Sequence, residues 1–131
     1  MRYTRRFVLF WIGCASSLSL MPRHVQAHAL CATSDQLAAR LRTLIYDHAA
    51  ARRLGRLYVS HVPAEDDLRI LARLAVASPE AQPVDVIALD RTSLRHRLDA
   101  RVRDDFASGT TVRLDGWVLS RTEARLCALC R

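Results

Sequence analysis

Apolar residues form one dense run at the front of the chain and sparse, periodic stripes after it. The run extends from Phe7 to Ala15 and continues weakly through Leu18, Leu20 and Met21. Beyond residue 34 the spacing becomes helical: Leu37, Leu41, Leu44, Ile45, Leu54 and Tyr58 recur along one side, with Ala49, Ala50 and Ala51 carrying the stripe between them. Ser34 is a good cap and Asp35 suits the positive end of a helix dipole, so the pattern predicts a helix over 35–59, loosened at Gly55. His48 falls on or beside that stripe and reads as a satisfied, partly buried histidine.

Ser60-His61-Val62-Pro63 breaks the pattern, and Pro63 can open a second helix with Glu65, Asp66 and Asp67 in its first turn. Leu68, Ile70, Leu71, Leu74 and Ala75 then make its buried face. Residues 78–83 read as a linker, and the short apolar segment 84–89 carries no assignment from its pattern. Thr92 or Ser93 caps a third helix, in which Leu94, Leu98, Val102 and Phe106 line one side. Arg95, Arg97, Asp99, Arg101, Arg103, Asp104 and Asp105 make its charged outer surface. Ser108-Gly109 stops it. Two β-prone runs, 111–114 and 117–119, flank Asp115-Gly116, a strong hairpin signal. Ser120 with Glu123 three residues later forms a capping box that opens the last helix. The expected fold is mainly α: three or four helices in a small bundle, with one short β-hairpin before the C-terminal helix.

The front run reads differently once its flanks are considered. Arg2, Arg5 and Arg6 precede it, no acid occurs before Asp35, and Val25-Gln26-Ala27 places small side chains before a cut. That is the layout of a cleavable secretory leader, 1–27, followed by one small helical domain, 28–131. A cut after Ala29 is the second choice. The run is too short, and too broken by Ser16, Ser17 and Ser19, for the roughly 20 apolar residues of a spanning helix. Thr4-Arg5-Arg6-Phe7-Val8-Leu9 resembles the twin-arginine export signal, and Trp11-Ile12-Gly13-Cys14 faintly resembles a lipoprotein box with Cys14 as the lipid acceptor. The expected location is periplasmic or secreted, with membrane attachment only if the leader is retained or lipidated.

Removing the leader changes the charge. The whole chain is +7, but four of its 20 basic residues precede the cut and all 13 acids follow it. The remaining 16 arginines leave a net charge near +3 with the signs interspersed, which excludes nucleic acid as a partner. Every basic residue is arginine, giving planar, permanently charged side chains suited to carboxylate pairing and partner contacts.

Cys31, Cys127 and Cys130 remain after the cut. Outside the cytoplasm the expectation is a disulfide of Cys31 with Cys127 or Cys130, leaving one thiol over. Cys127-Ala128-Leu129-Cys130 is a CxxC at the end of a helix, where the dipole raises thiol pKa, so thioredoxin-like chemistry is disfavoured. Cys31, Cys127, Cys130 and one histidine are the weak candidates for a metal site. His28, the first residue after the cut, is another; it would chelate copper with help from His48, His61 or His96. Asp47-His48 and Ser60-His61 do not make a hydrolase, because a triad is defined by geometry. No nucleophile elbow or phosphate loop is present in the sequence, so no enzymatic activity and no cofactor are expected.

The segment 115–129, containing Gly-Trp-Val-Leu-Ser-Arg-Thr-Glu-Ala-Arg-Leu-Cys-Ala-Leu, resembles the C-terminal signature of small, uncharacterised exported proteins of bacteria. That resemblance supports the class and carries no activity or site. The plan of a twin-arginine-like leader on a small helical chain is also similar to the small subunits that escort exported flavin dehydrogenases. The leading expectation is an exported accessory protein that binds a periplasmic protein through helix faces and the Trp117 hairpin. The alternative is a metal- or thiol-binding protein built on Cys31, Cys127, Cys130 and a histidine. Mass spectrometry of the exported protein is expected to find His28 at its amino terminus. Intact Met1 on protein retained in the cytoplasm would overturn the assignments of compartment, disulfide and charge together.

Overall fold

The computed structural model describes the backbone of residues 23–77 and 83–131, and the side chains of 33–77 and 85–131. The order is α1 (Arg23–Arg42), α2 (His48–His61), a 3-10 turn (Pro63–Glu65), α3 (Leu68–Val76), α4 (Pro83–Ala88), α5 (Arg91–Ala107), β1 (Thr111–Leu114), β2 (Trp117–Ser120) and α6 (Arg121–Ala128). It is a mainly helical bundle with one antiparallel hairpin before its last helix, as the patterning predicts. Residues 1–22 of the expected leader lie outside the described residues, and the expected cut after Ala27 falls within the backbone of α1. No helix among the described residues is long and apolar enough to cross a membrane.

The helix expected over 35–59 is two helices. Asp47 stops it from being one: its Oδ1 accepts the N–H groups of Ala49 and Ala50 at 3.0 and 2.9 Å, an N-cap that competes with continuation of the helix. Upstream, α1 ends in tightened turns in which Thr43, Leu44 and Ile45 donate to carbonyls three residues back. The next helix also starts later than expected. Pro63 opens only the 3-10 turn, and Asp67 caps α3 by accepting from Arg69 and Ile70. Asp90 caps α5 by accepting from Ser93 at 2.9 Å, so Ser93 is the donor in the cap. Segment 84–89 is resolved as the short helix α4, with Val86 in the core.

Four-residue steps explain where the α5 stripe fails. Each residue turns about 100°, so each step of four drifts about 40° from the starting face. Leu94 and Leu98 are buried, Val102 is half-buried, and Phe106 has rotated out to 48% exposure. Asp105, eleven residues after Leu94, returns to the inward side and is buried. It therefore leaves the charged outer surface where the sequence pattern put it. On α3 the inward residues are Leu71, Ala72, Ala75 and Val76, and Ile70 faces outward.

The hairpin turn needs two left-handed residues, and Asp115 and Gly116 supply them with φ of 50° and 81°. The register pairs Thr111 with Ser120, Val112 with Leu119 and Leu114 with Trp117. Leu114 packs into the core, while Trp117, its partner at the tip, is 68% exposed.

Helix α6 lies at the centre, against α2, α3, α5 and both strands. Its crossing with α2 passes through Gly55. A Cβ there would lie 2.3 Å from the carbonyl oxygen of Cys127 and 2.7 Å from the Cα of Ala128. Gly55 is thus the point of closest helix approach, where the sequence pattern suggested a loosened turn. Gly55→Ala is expected to lower stability by about 1–3 kcal/mol, because overpacking against backbone exceeds the ~1 kcal/mol helix-propensity gain of alanine. A urea midpoint at or above that of the parent would contradict this.

Candidate functional site

Candidate chemistry gathers in three places: the Glu65 cluster, the C-terminal thiols and the hairpin end.

Glu65 is buried although it sits in a surface turn. Tyr58 Oη donates to its Oε2 at 2.6 Å, Arg125 Nε donates to Oε2 at 2.9 Å, and Arg125 Nη2 donates to Oε1 at 2.8 Å. Arg121 Nη2 reaches Oε1 at 3.3 Å. This is a bidentate arginine–carboxylate pair with a phenol and a second guanidinium added, and it ties α2 and the 3-10 turn to α6. The Arg125 hydrogen bonds, helped by Tyr58, hold the Glu65 carboxyl down at about 2 against the opposing effect of burial. Burial and the Glu65 hydrogen bond push the Tyr58 phenol up. At neutral pH every member is locked in one protonation state, which suits a structural tie. The sequence pattern placed Glu65 in an exposed first turn. The signal available was Asp67, whose side chain caps α3 and so separates the 3-10 turn that carries Glu65 from the helix.

At the C-terminus, Cys127 is half-buried and Cys130 buried, and both are free thiols. Burial raises the Cys127 thiol to about 11 and also pushes Cys130 up, with Arg42 and Arg52 opposing the latter shift. His48 is exposed at the start of α2, in contrast to the partly buried position expected, and its Nδ1 lies 3.5 Å from Cys130 Sγ. Arg42 Nε donates to the Leu129 carbonyl at 2.5 Å, and Arg52 Nε donates to the Cys130 carbonyl at 3.3 Å. The nearby arginines offset only part of the effect of burial, so the Cys130 sulfur is held in its thiol form. The side chains of His28 and Cys31 lie outside the described residues, and so does the disulfide expected between Cys31 and Cys127 or Cys130. His48 and His61 stand at opposite ends of α2, roughly 20 Å apart along its axis. No group of three or more metal-binding side chains occurs among the described residues.

The hairpin end carries exposed apolar side chains. Trp117 and Val118 lie on β2, and Phe106 lies at the end of α5, which packs against that strand. Arg53 on α2 pairs with Asp115 in the turn, a surface contact between the bundle and the tip that carries Trp117. Each strand has one edge without a strand partner. Below the tip, Asp105 Oδ2 accepts the N–H of Thr122 at 2.8 Å, and Ser120 and Glu123 complete their capping box at 3.0 and 2.9 Å. The hairpin is thus anchored at both ends.

Compared with family models, curated proteins and solved structures, the chain matches none.

Acid titration separates the Glu65 tie from an incidental contact. A carboxyl held near 2 in the fold and near 4.5 when unfolded stabilises the native state fully above pH 4.5. That contribution, about 3 kcal/mol, is lost as pH falls from 4.5 toward 2. Urea unfolding between pH 6 and 2 is expected to show this loss in the parent. In Glu65→Gln, stability at neutral pH should be lower and that part of the acid dependence should vanish. Parallel pH profiles for the two proteins would exclude the tie.

Proposed function

We propose that this chain is an exported accessory protein that binds a protein partner through its hairpin end, in the manner of a small subunit of an exported oxidoreductase. The observation that carries the reading is Trp117, a large aromatic side chain 68% exposed at the tip of a hairpin tethered by Arg53 and Asp115. Aromatic anchors dominate interface energetics, and an anchor held rigid before binding loses little conformational entropy on docking. Val118, on the opposite face of β2, and Phe106, at the end of α5, are further exposed apolar side chains at this end, and the unpaired strand edges offer main-chain hydrogen bonds.

The partner proposed is a flavin dehydrogenase, by analogy with the small subunits that share this plan of leader and helical chain. A second reading, thiol or metal chemistry at Cys130 with Cys127, Cys31 and a histidine, draws on the 3.5 Å approach of His48 to the Cys130 sulfur.

Tagged protein isolated from the exported fraction under mild conditions is expected to bring down one larger polypeptide with a flavin absorbance spectrum. Trp117→Ala should reduce its recovery about tenfold or more, the scale of a hot-spot truncation, while the circular dichroism of the variant is unchanged. Equal recovery with Trp117→Ala would remove the hairpin from the interface. Recovery of a metal in place of a polypeptide, lost in Cys130→Ser, would favour the second reading.

A further inference from the structure

The arginines of this chain follow a pattern that two of them break. Arg40 donates to the carbonyls of Ile87 and Leu89 at the end of α4, and Arg42 donates to Leu129 beyond the end of α6. Arg121 and Arg125 hold Glu65, and Arg131 holds Asp66. All five are half-buried, and each has an acceptor. Arg97 and Arg101 are half-buried as well, yet their Nε atoms are shielded from water and meet no hydrogen-bond partner.

Their position on α5 makes this informative. Arg101 lies seven residues after Leu94, on the inward side between Leu98 and Asp105, and Arg97 flanks it one turn earlier. Residues four apart on a helix are neighbours, with about 5–6 Å between Cβ atoms, so the two guanidinium groups share one side. The acids of the same helix do not serve them. Asp105 is committed to the Thr122 N–H, and Asp99 and Asp104 are exposed without an ion pair to either arginine. The third buried unpartnered polar atom among the described residues, Thr122 Oγ1, belongs to the residue whose N–H Asp105 holds. Thr122 Oγ1 thus lies where α5 meets α6, and Arg101 stands one helical turn before Asp105 on α5.

An N–H withdrawn from water without an acceptor costs free energy, and here that applies to the Nε–H of each arginine while the half-buried side chain keeps its terminal nitrogens toward the surface. No hydrogen bond fixes the Nε of either arginine, so each can turn to present its planar fork to an incoming carboxylate. We propose that Arg97 and Arg101 form a carboxylate-docking pair for an acidic segment of the protein partner. The assignment rests on the partner-binding reading and deepens it by giving the partner a second, charged point of attachment, on a different element from Trp117.

The test uses a fluorescently labelled hexaglutamate peptide and the full exported protein, followed by anisotropy at low ionic strength. The parent is expected to bind it, and Arg97→Ala with Arg101→Ala should weaken binding about tenfold or more, as loss of charge-assisted forks requires. Arg95→Ala with Arg103→Ala removes the same charge from the exposed side of α5 and should weaken binding less than about twofold. Arg97→Lys with Arg101→Lys keeps charge and stem but not the fork, and is expected to bind weakly; it stands in if the alanine pair does not fold. Arg97→Leu with Arg101→Leu should leave the thermal midpoint unchanged or higher, since no internal hydrogen bond is lost. Four outcomes overturn the proposal: no binding by the parent, equal losses in both alanine pairs, displacement of the peptide by an equal concentration of inorganic phosphate, or a lowered midpoint with binding retained. Trp117→Ala should bind the peptide as the parent does, so failure here and failure of the hairpin interface are read separately.

Discussion

The fold depends on satisfying the backbone of one short helix at its centre. Helix α6 is surrounded by α2, α3, α5 and the hairpin, so its free N–H and C=O groups have little access to water and must find partners in protein. At its start, Arg121 N–H donates to the Thr110 carbonyl, Thr122 N–H to Asp105 and Glu123 N–H to Ser120. At and beyond its end, the Ala128, Leu129 and Cys130 carbonyls accept from Arg131, Arg42 and Arg52. Partners come from α1, α2, α5 and the loop before the hairpin. Each of those elements is therefore positioned by α6, and α6 by them.

This explains why arginine does so much in the interior of so small a protein. The bundle's helix ends leave carbonyls without intrahelical partners, and a long planar cation from another element can reach across to close them. Arg40 closes α4, Arg42 and Arg52 close α6, and Arg91 reaches the Thr43 carbonyl beyond α1. Glu65 uses two more, Arg121 and Arg125, to weld the turn after α2 onto α6. Close approach at Gly55 completes the same joint from the apolar side. Polar satisfaction and steric fit act at one interface, α2 against α6.

Against that rigid centre, the surface proposed for partner binding is peripheral. The hairpin stands on the capped start of α6, and Arg53 pairs with Asp115 at its tip, beside the exposed Trp117. Arg97 and Arg101 have the opposite character, half-buried on the flank of the bundle with their Nε–H groups shielded and unpartnered. An exposed aromatic and an unpartnered N–H both cost the isolated chain something. Both are explained if the chain works in a complex, and the escort role proposed for it joins them.

The hydrophobic spacing by itself determined the helical class, the hairpin at Asp115-Gly116 and the capping box at Ser120, because each rests on interactions within a few residues. Local pattern also contained the break at Asp47, whose side chain caps α2, but the alanine-rich stripe across it masked the boundary. What only the tertiary structure decided was polar pairing across the bundle. Asp105 and Glu65 look like surface acids in sequence, and they become buried because α6 supplies an N–H group to one and two guanidinium groups to the other. Gly55 looks like a weak point in a helix, and it is the contact because α6 crosses there. Periodicity reports which face of an element is apolar; which polar group meets which depends on how the elements cross, and that is fixed only when they pack.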